Sequence, residues 1–227
     1  MPRRWLLIGS CLSLLAASPA MADTLREDIA RTAFLVTDKK QATAEIDAAI
    51  KQADALIAAN PADKEAVLQR GVAIGYRAKL TKSAGDAKLS RAIFEGLLKA
   101  DPRNPEYHLA VATWHLDSVD QLGGLIAGAA LGAKKAIGEA ELDKAVALGR
   151  DRAFILGAAA LLHIRADDND LLRTRQLAEA ALKAPAPTGI DRVMKRAAQI
   201  ILPAIVEGNG ALARKQARSL LPFGKLG

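Results

Sequence analysis

The sequence predicts an all-α fold, a right-handed superhelix of antiparallel helix pairs. The first observation behind this is a stop-and-start pattern that recurs at helix-hairpin length. Ala59-Asn60-Pro61, Ala100-Asp101-Pro102 and Ala147-Leu148-Gly149 each end an apolar-periodic helix, and Asp63, Asn104 and Asp151 follow two residues later as N-caps. A degenerate copy ends Ala184-Pro185-Ala186, with Thr188 in the cap position. The second observation is that the intervening segments are rich in Ala, Leu, Lys and Glu and lack alternating β-branched runs. The third is the size of the repeat. A helix pair of this length cannot bury its apolar face alone and so stacks on its neighbours.

Each helix has its own signal. Thr24-Leu25-Arg26-Glu27 reads as a capping box, followed by the apolar face Leu25, Ile29, Ala33 and Val36. Ile46, Ala49, Ile50, Ala53, Leu56 and Ile57 form the stripe of a second helix. Asp63 caps a third, with Glu65 at the positive end of its dipole and Val67, Leu68, Gly71 and Ile74 facing inward. Leu89, Ala92, Ile93, Leu97 and Leu98 mark a fourth. Asn104 caps a fifth, with Pro105 at the first helical position, where its missing amide costs nothing.

Residues 123–133 then interrupt the rhythm as an insertion. Gly124, Gly128 and Gly132 recur every four residues, which on a helix makes a smooth stripe for close backbone approach. Two roles follow for this Gly/Ala segment: a short helix or loop buried in the stack, or a lid or docking segment. Ile137, Leu142, Ala145 and Val146 resume the pattern. Asp151 starts the next helix, and Asp168-Asn169-Asp170 makes a turn and cap before Leu172, Leu177, Ala181 and Leu182. Thr188 with Asp191 starts a helix that Pro203 is expected to kink or end. Gly208-Asn209-Gly210 turns into the last one.

The N-terminus reads as a secretory leader. Arg3 and Arg4 precede an apolar stretch, and Ala20-Met21-Ala22 supplies a small-x-small cleavage site. The apolar run falls short of the ~20 residues that span a bilayer. The expected organisation is therefore a cleavable leader over 1–22, a helical repeat domain over 23–185, and a C-terminal helix pair over 186–227 packing on or capping the array. The mature chain is expected to be periplasmic or secreted, with no transmembrane segment. Cys11 is the sole cysteine and leaves with the leader, which removes disulfides and thiol chemistry. The net charge of +7 falls by two with Arg3 and Arg4, and the remaining basic residues are scattered. With few aromatics, this argues against nucleic acid as a partner.

The helix pairs resemble the tetratricopeptide repeat. Val67, Gly71 and Ile74 occupy the first-helix columns of one copy, with Ala92, Phe94 and Pro102 near its second-helix columns. His108, Ala112 and His115 take the first-helix columns of the next copy, and Ile155, Ala159 and Leu162 those of the third. The small column Gly71, Ala112, Ala159 lies where the helices of a pair touch. The copies are spaced 41 and 47 residues apart (Pro61 to Pro102 to Gly149), longer than the family's ~34. The resemblance implies a concave groove lined by first helices. Its positions are Glu65, Leu68, Val72 and Tyr76 from one copy and Glu106, Leu109, Thr113 and Asp117 from the next. Ala153, Leu156, Ala160 and His163 come from the third.

Such a groove implies an interaction module or scaffold that holds a protein or peptide of the cell envelope, with Tyr76 as an anchor. A second reading is a small-ligand or lipid binder linked to solute transport, with an apolar cavity lined by Leu109, Trp114 and the Gly/Ala segment. A third is an enzyme using His108, His115 and Asp117. No nucleophile elbow, phosphate loop or dinucleotide fingerprint occurs, and the two His lie seven apart instead of at zinc spacing. Neither a catalytic residue, a cofactor nor a metal is therefore expected. Asp167 to Asp170 lacks the length and closing Glu of a calcium loop.

Overall fold

The computed structural model of the chain describes the backbone of residues 19–226 and the side chains of 24–226. Every regular element among the described residues is an α-helix. The first pair is α1 (Pro19–Leu35) with α2 (Lys39–Ala59), and the second is α3 (Lys64–Thr81) with α4 (Ala84–Ala100). In the third, α5 (Pro105–Leu122) packs on α7 (Lys135–Leu148), with the short α6 (Gly124–Leu131) inserted between them. The last two pairs are α8 (Ala153–Ala166) with α9 (Leu171–Lys183) and α10 (Gly189–Val206) with α11 (Gly210–Leu220). The first helices touch in series, α1 to α3 to α5 to α8 to α10, and α10 comes back to α1.

Local chemistry sets most boundaries. The side chains of Asp63, Ser83, Asn104, Asp170 and Asn209 each accept a backbone N–H in the first turn of the helix they precede. Thr188 and Asp191 form a reciprocal capping box, as expected. Pro105 sits at the start of α5. Gly71 occupies a close approach, since a Cβ there would stand 2.7 Å from the Phe94 ring. This is the contact between helices of a pair that the small column predicts.

Four expectations are corrected. Thr24 lies inside α1, which runs from Pro19, so Thr24-Glu27 is not its N-terminal capping box. The Glu27 carboxylate instead accepts the Gly189 amide at the start of α10, 3.0 Å away. Asp151 does not cap α8, which begins two residues later behind Arg152 with no side-chain cap. Pro203 neither ends nor breaks α10, which continues to Val206. The proline sits in the last turn, and the chain keeps its helical course for three more residues without the amide bond that Pro203 cannot make. The glycines of 123–133 form no packing stripe, and a Cβ at Gly128 would meet only Ala133 O, at an ordinary 3.7 Å. Nothing lies within 4 Å of a Cβ at Gly124, and Gly123 (φ +75°) and Gly132 (φ +70°) take left-handed conformations at the two ends of α6. The leader reading falls outside the described residues, except that 19–22 begin α1. Among the described residues no helix is long and apolar enough to cross a membrane.

Candidate ligand cavity

The first helices, with α4 and α6, line a partly open cavity of about 420 Å³, within the range typical of small-molecule sites. Helix α5 lines it from Glu106 to Leu122, about 24 Å at 1.5 Å per residue. The cavity is therefore a slot and not a bowl. Its middle is apolar. Leu68 and Val72 of α3 face Leu109 of α5, Ala158 of α8 and Met194 of α10, and Ile29 of α1 faces in from the other side. The C-terminal segment contributes Leu221 and Pro222. It is held by the Phe223 amide donating to Ala33 O (2.8 Å) and by an edge-to-face contact of the Phe223 ring with Tyr76 at 5.2 Å.

The two ends differ. At one, the starts of the first helices meet in a chain of ion pairs. Arg26 donates to both Glu65 oxygens at 2.7 Å and lies 2.7 Å from Glu106. Glu106 also pairs with Arg152, which reaches Asp191 at 3.1 Å. Burial opposes the Arg26 cation, but the Glu65 and Glu106 carboxylates more than offset this and raise its pKa. Arg26, Glu65, Glu106, Arg152 and Asp191 each have a partner among the described residues.

At the other end, Asp117 lies between Arg165 (2.5 Å) and Lys79 (3.6 Å). Burial disfavours its charged form, but the two cations hold its carboxyl below the usual carboxylate range. Burial and the Asp117 charge push the Tyr76 phenol up. Among the described residues neither the Tyr76 nor the Thr113 hydroxyl makes a hydrogen bond, although both face the cavity. Lining residues at this end reach solvent, among them Lys82, Gln121, Leu122 and Ile126, and they form its mouth. Helix α6 covers one side of the mouth. Arg91 holds its C-terminal end by donating to Leu131 O (3.2 Å) and stands over the Trp114 ring at 5.1 Å. The Trp114 indole in turn donates to Ala87 O at 2.8 Å.

Of the groove positions expected from the sequence, Leu68, Val72, Tyr76, Glu106, Leu109, Thr113 and Asp117 do line this cavity. Glu65 stands behind Arg26 at its sealed end. The third copy is read out of phase. Leu156 is buried in the core against α9 and α10, and His163 hydrogen-bonds Asp170 at 3.1 Å. In α8 the residues that line the cavity are Phe154, Ala158 and Leu162. The error arises because α8 is apolar on every side, so its pattern holds no polar face to fix the phase. Leu109, Trp114 and the Gly/Ala segment share this wall, as the cavity reading expects.

The histidines do not share a site with Asp117. His108 Nδ1 contacts Glu141 at 2.5 Å and its Nε2 contacts Pro102 O at 2.9 Å. His115 accepts the Lys134 amide on Nδ1 at 3.1 Å, and burial beside Arg91 lowers its pKa. Neither histidine lines the cavity. Among the described residues no group of three His, Cys, Asp or Glu is placed to hold a metal ion. No family model, curated protein or solved structure matches this chain.

Proposed function

We propose that the chain is a closed tetratricopeptide-like array that binds a small apolar ligand in the slot along its first helices. The observation that carries this reading is the slot itself, about 420 Å³ with apolar walls and a solvent-exposed mouth beside α6. The α1–α10 contact and the C-terminal segment occupy the side on which an open array would admit a peptide. The leader-like N-terminus supports a periplasmic or secreted setting, where a carrier of apolar molecules linked to solute transport fits.

The envelope interaction role keeps one specific support. Leu125 and Ile126 on α6 are 91 % and 61 % exposed, an apolar patch at the mouth that a partner protein can cover while ligand passes.

Trp114 lies in the cavity wall and supplies the test; the chain's other tryptophan, Trp5, falls in the leader-like segment and is replaced by Phe for the measurement. Protein purified and extracted with organic solvent is expected to release an apolar compound, and returning that compound is expected to shift the Trp114 emission. Ala158→Phe, which fills the slot from α8, should cut the affinity by about tenfold or more at unchanged helicity. If nothing is extracted and no apolar compound moves the emission, the cavity is not a ligand site.

A further inference from the structure

We infer that the ligand is a single-chain amphiphile with an anionic head, bound with the head at the Lys79/Lys82 mouth and the chain running toward Ile29 and Met194. This rests on the cavity being a ligand site and adds the class and direction of what it takes. Three observations carry it.

The first is shape. A lining of about 24 Å around about 420 Å³ suits an extended chain and not a compact ring system. The second is the distribution of charge. The sealed end holds Arg26 and Arg152 against Glu65, Glu106 and Asp191, a set with every member paired and a net negative charge. Of the charged residues that line the mouth, Lys79 and Lys82 stand against Asp117 alone, a net positive set. The start of α4 at Ser83 and Ala84 opens on the same mouth and adds the partial positive charge of a helix N-terminus, with Asp86 turned onto Arg77 at 2.8 Å. An anion is thus attracted at one end only.

The third is the state of Lys82. Its ammonium reaches no carboxylate among the described residues and donates to the Gln121 carbonyl oxygen at 3.2 Å, a neutral partner that an anion can replace. Lys82 also closes α3 in a left-handed conformation (φ +62°), beside the start of α4. Inside the mouth, the Tyr76 and Thr113 hydroxyls offer donors to oxygens of the same head group. A cationic head would meet Lys79 and Lys82.

The test is calorimetric titration of the full chain with laurate, lauryl alcohol and laurylamine, each below its micelle concentration. Laurate is expected to bind about tenfold tighter than the alcohol, and the amine weakest. Lys82→Glu should lower laurate affinity about tenfold and leave the alcohol unchanged, while Lys82→Arg retains laurate binding. Lys82 is exposed, so neither variant disturbs the core. Equal binding of the three compounds, tightest binding of the amine, or no response of laurate to Lys82→Glu overturns the head-group assignment and leaves the cavity reading standing. Binding of none of the three overturns the cavity reading beneath it.

Discussion

Asp191→Ala is expected to lower the stability of the fold by about 3–5 kcal/mol, the cost of breaking a buried hydrogen-bonded ion pair. The Asp191 side chain is fully buried. One oxygen accepts the Phe154 amide at the start of α8 (2.9 Å), and the other accepts from the Thr188 hydroxyl (2.6 Å) and Arg152 (3.1 Å). Removing the carboxylate deletes the capping box of α10, orphans an amide of α8 and leaves Arg152 facing Glu106 alone. Urea unfolding followed by circular dichroism measures the loss. A change under 1 kcal/mol would mean that water replaces these contacts without penalty, against the burial that the position shows. Asp191→Asn keeps the shape and is expected to lose less. Burial raises the Asp191 pKa, but Thr188, Arg152 and the Phe154 amide outweigh it and depress the folded value. A depressed carboxyl contributes stability above its unfolded pKa of about 3.9 and loses it as pH falls through the folded value. The wild type should therefore weaken more steeply below about pH 4 than Asp191→Asn does.

Gly157→Leu is the second large effect, an expected loss of about 3 kcal/mol and a fall in Tm of roughly 6–12 °C. A Cβ at Gly157 would stand 2.6 Å from Met194 O and 2.9 Å from Met194 C. These are backbone atoms of α10, so no rotamer change relieves the contact and the two helices must part. Gly157→Ala meets the same carbonyl with one carbon, and its gain in helix propensity of about 1 kcal/mol offsets part of the cost. Differential scanning calorimetry of the two variants ranks them. Equal Tm for Leu, Ala and wild type would show that α8 and α10 are not in the close contact described. Because Ala158 and Met194 both line the slot, the Leu variant is also expected to weaken ligand binding.

These two positions differ in how visible they are from the chain alone. The Thr188–Asp191 capping box is legible because its chemistry is local: a hydroxyl, a carboxylate and two amides within one helical turn. The same holds for Asp63, Asn104 with Pro105, and the stripe of α2, which all stand where their residues place them. Gly157 carries no such mark. A glycine in an Ala/Leu-rich helix says that something approaches, but the partner, Met194, lies on another helix pair. The contact of Asp191 with Phe154 and Arg152 is equally silent, because it depends on which pair follows which in space.

The groove positions divide in the same way. In α3 and α5 polar residues alternate with apolar ones, so the cavity face can be phased, and Leu68, Val72, Leu109 and Thr113 fall on it. In α8 they do not alternate, and Leu156 goes to the core while Phe154 takes the wall. The all-helical class, most helix limits and the inner faces of the amphipathic helices are legible in the chain, because capping and periodicity are short-range. That α10 returns to α1, that Glu27 accepts an amide at its start, and that Leu221 and Pro222 line the remaining side emerges from long-range packing alone. Closure brings together residues more than 160 positions apart, and no local energy in the chain encodes a pairing at that distance. It is set by the packing of helices that lie far apart in the chain.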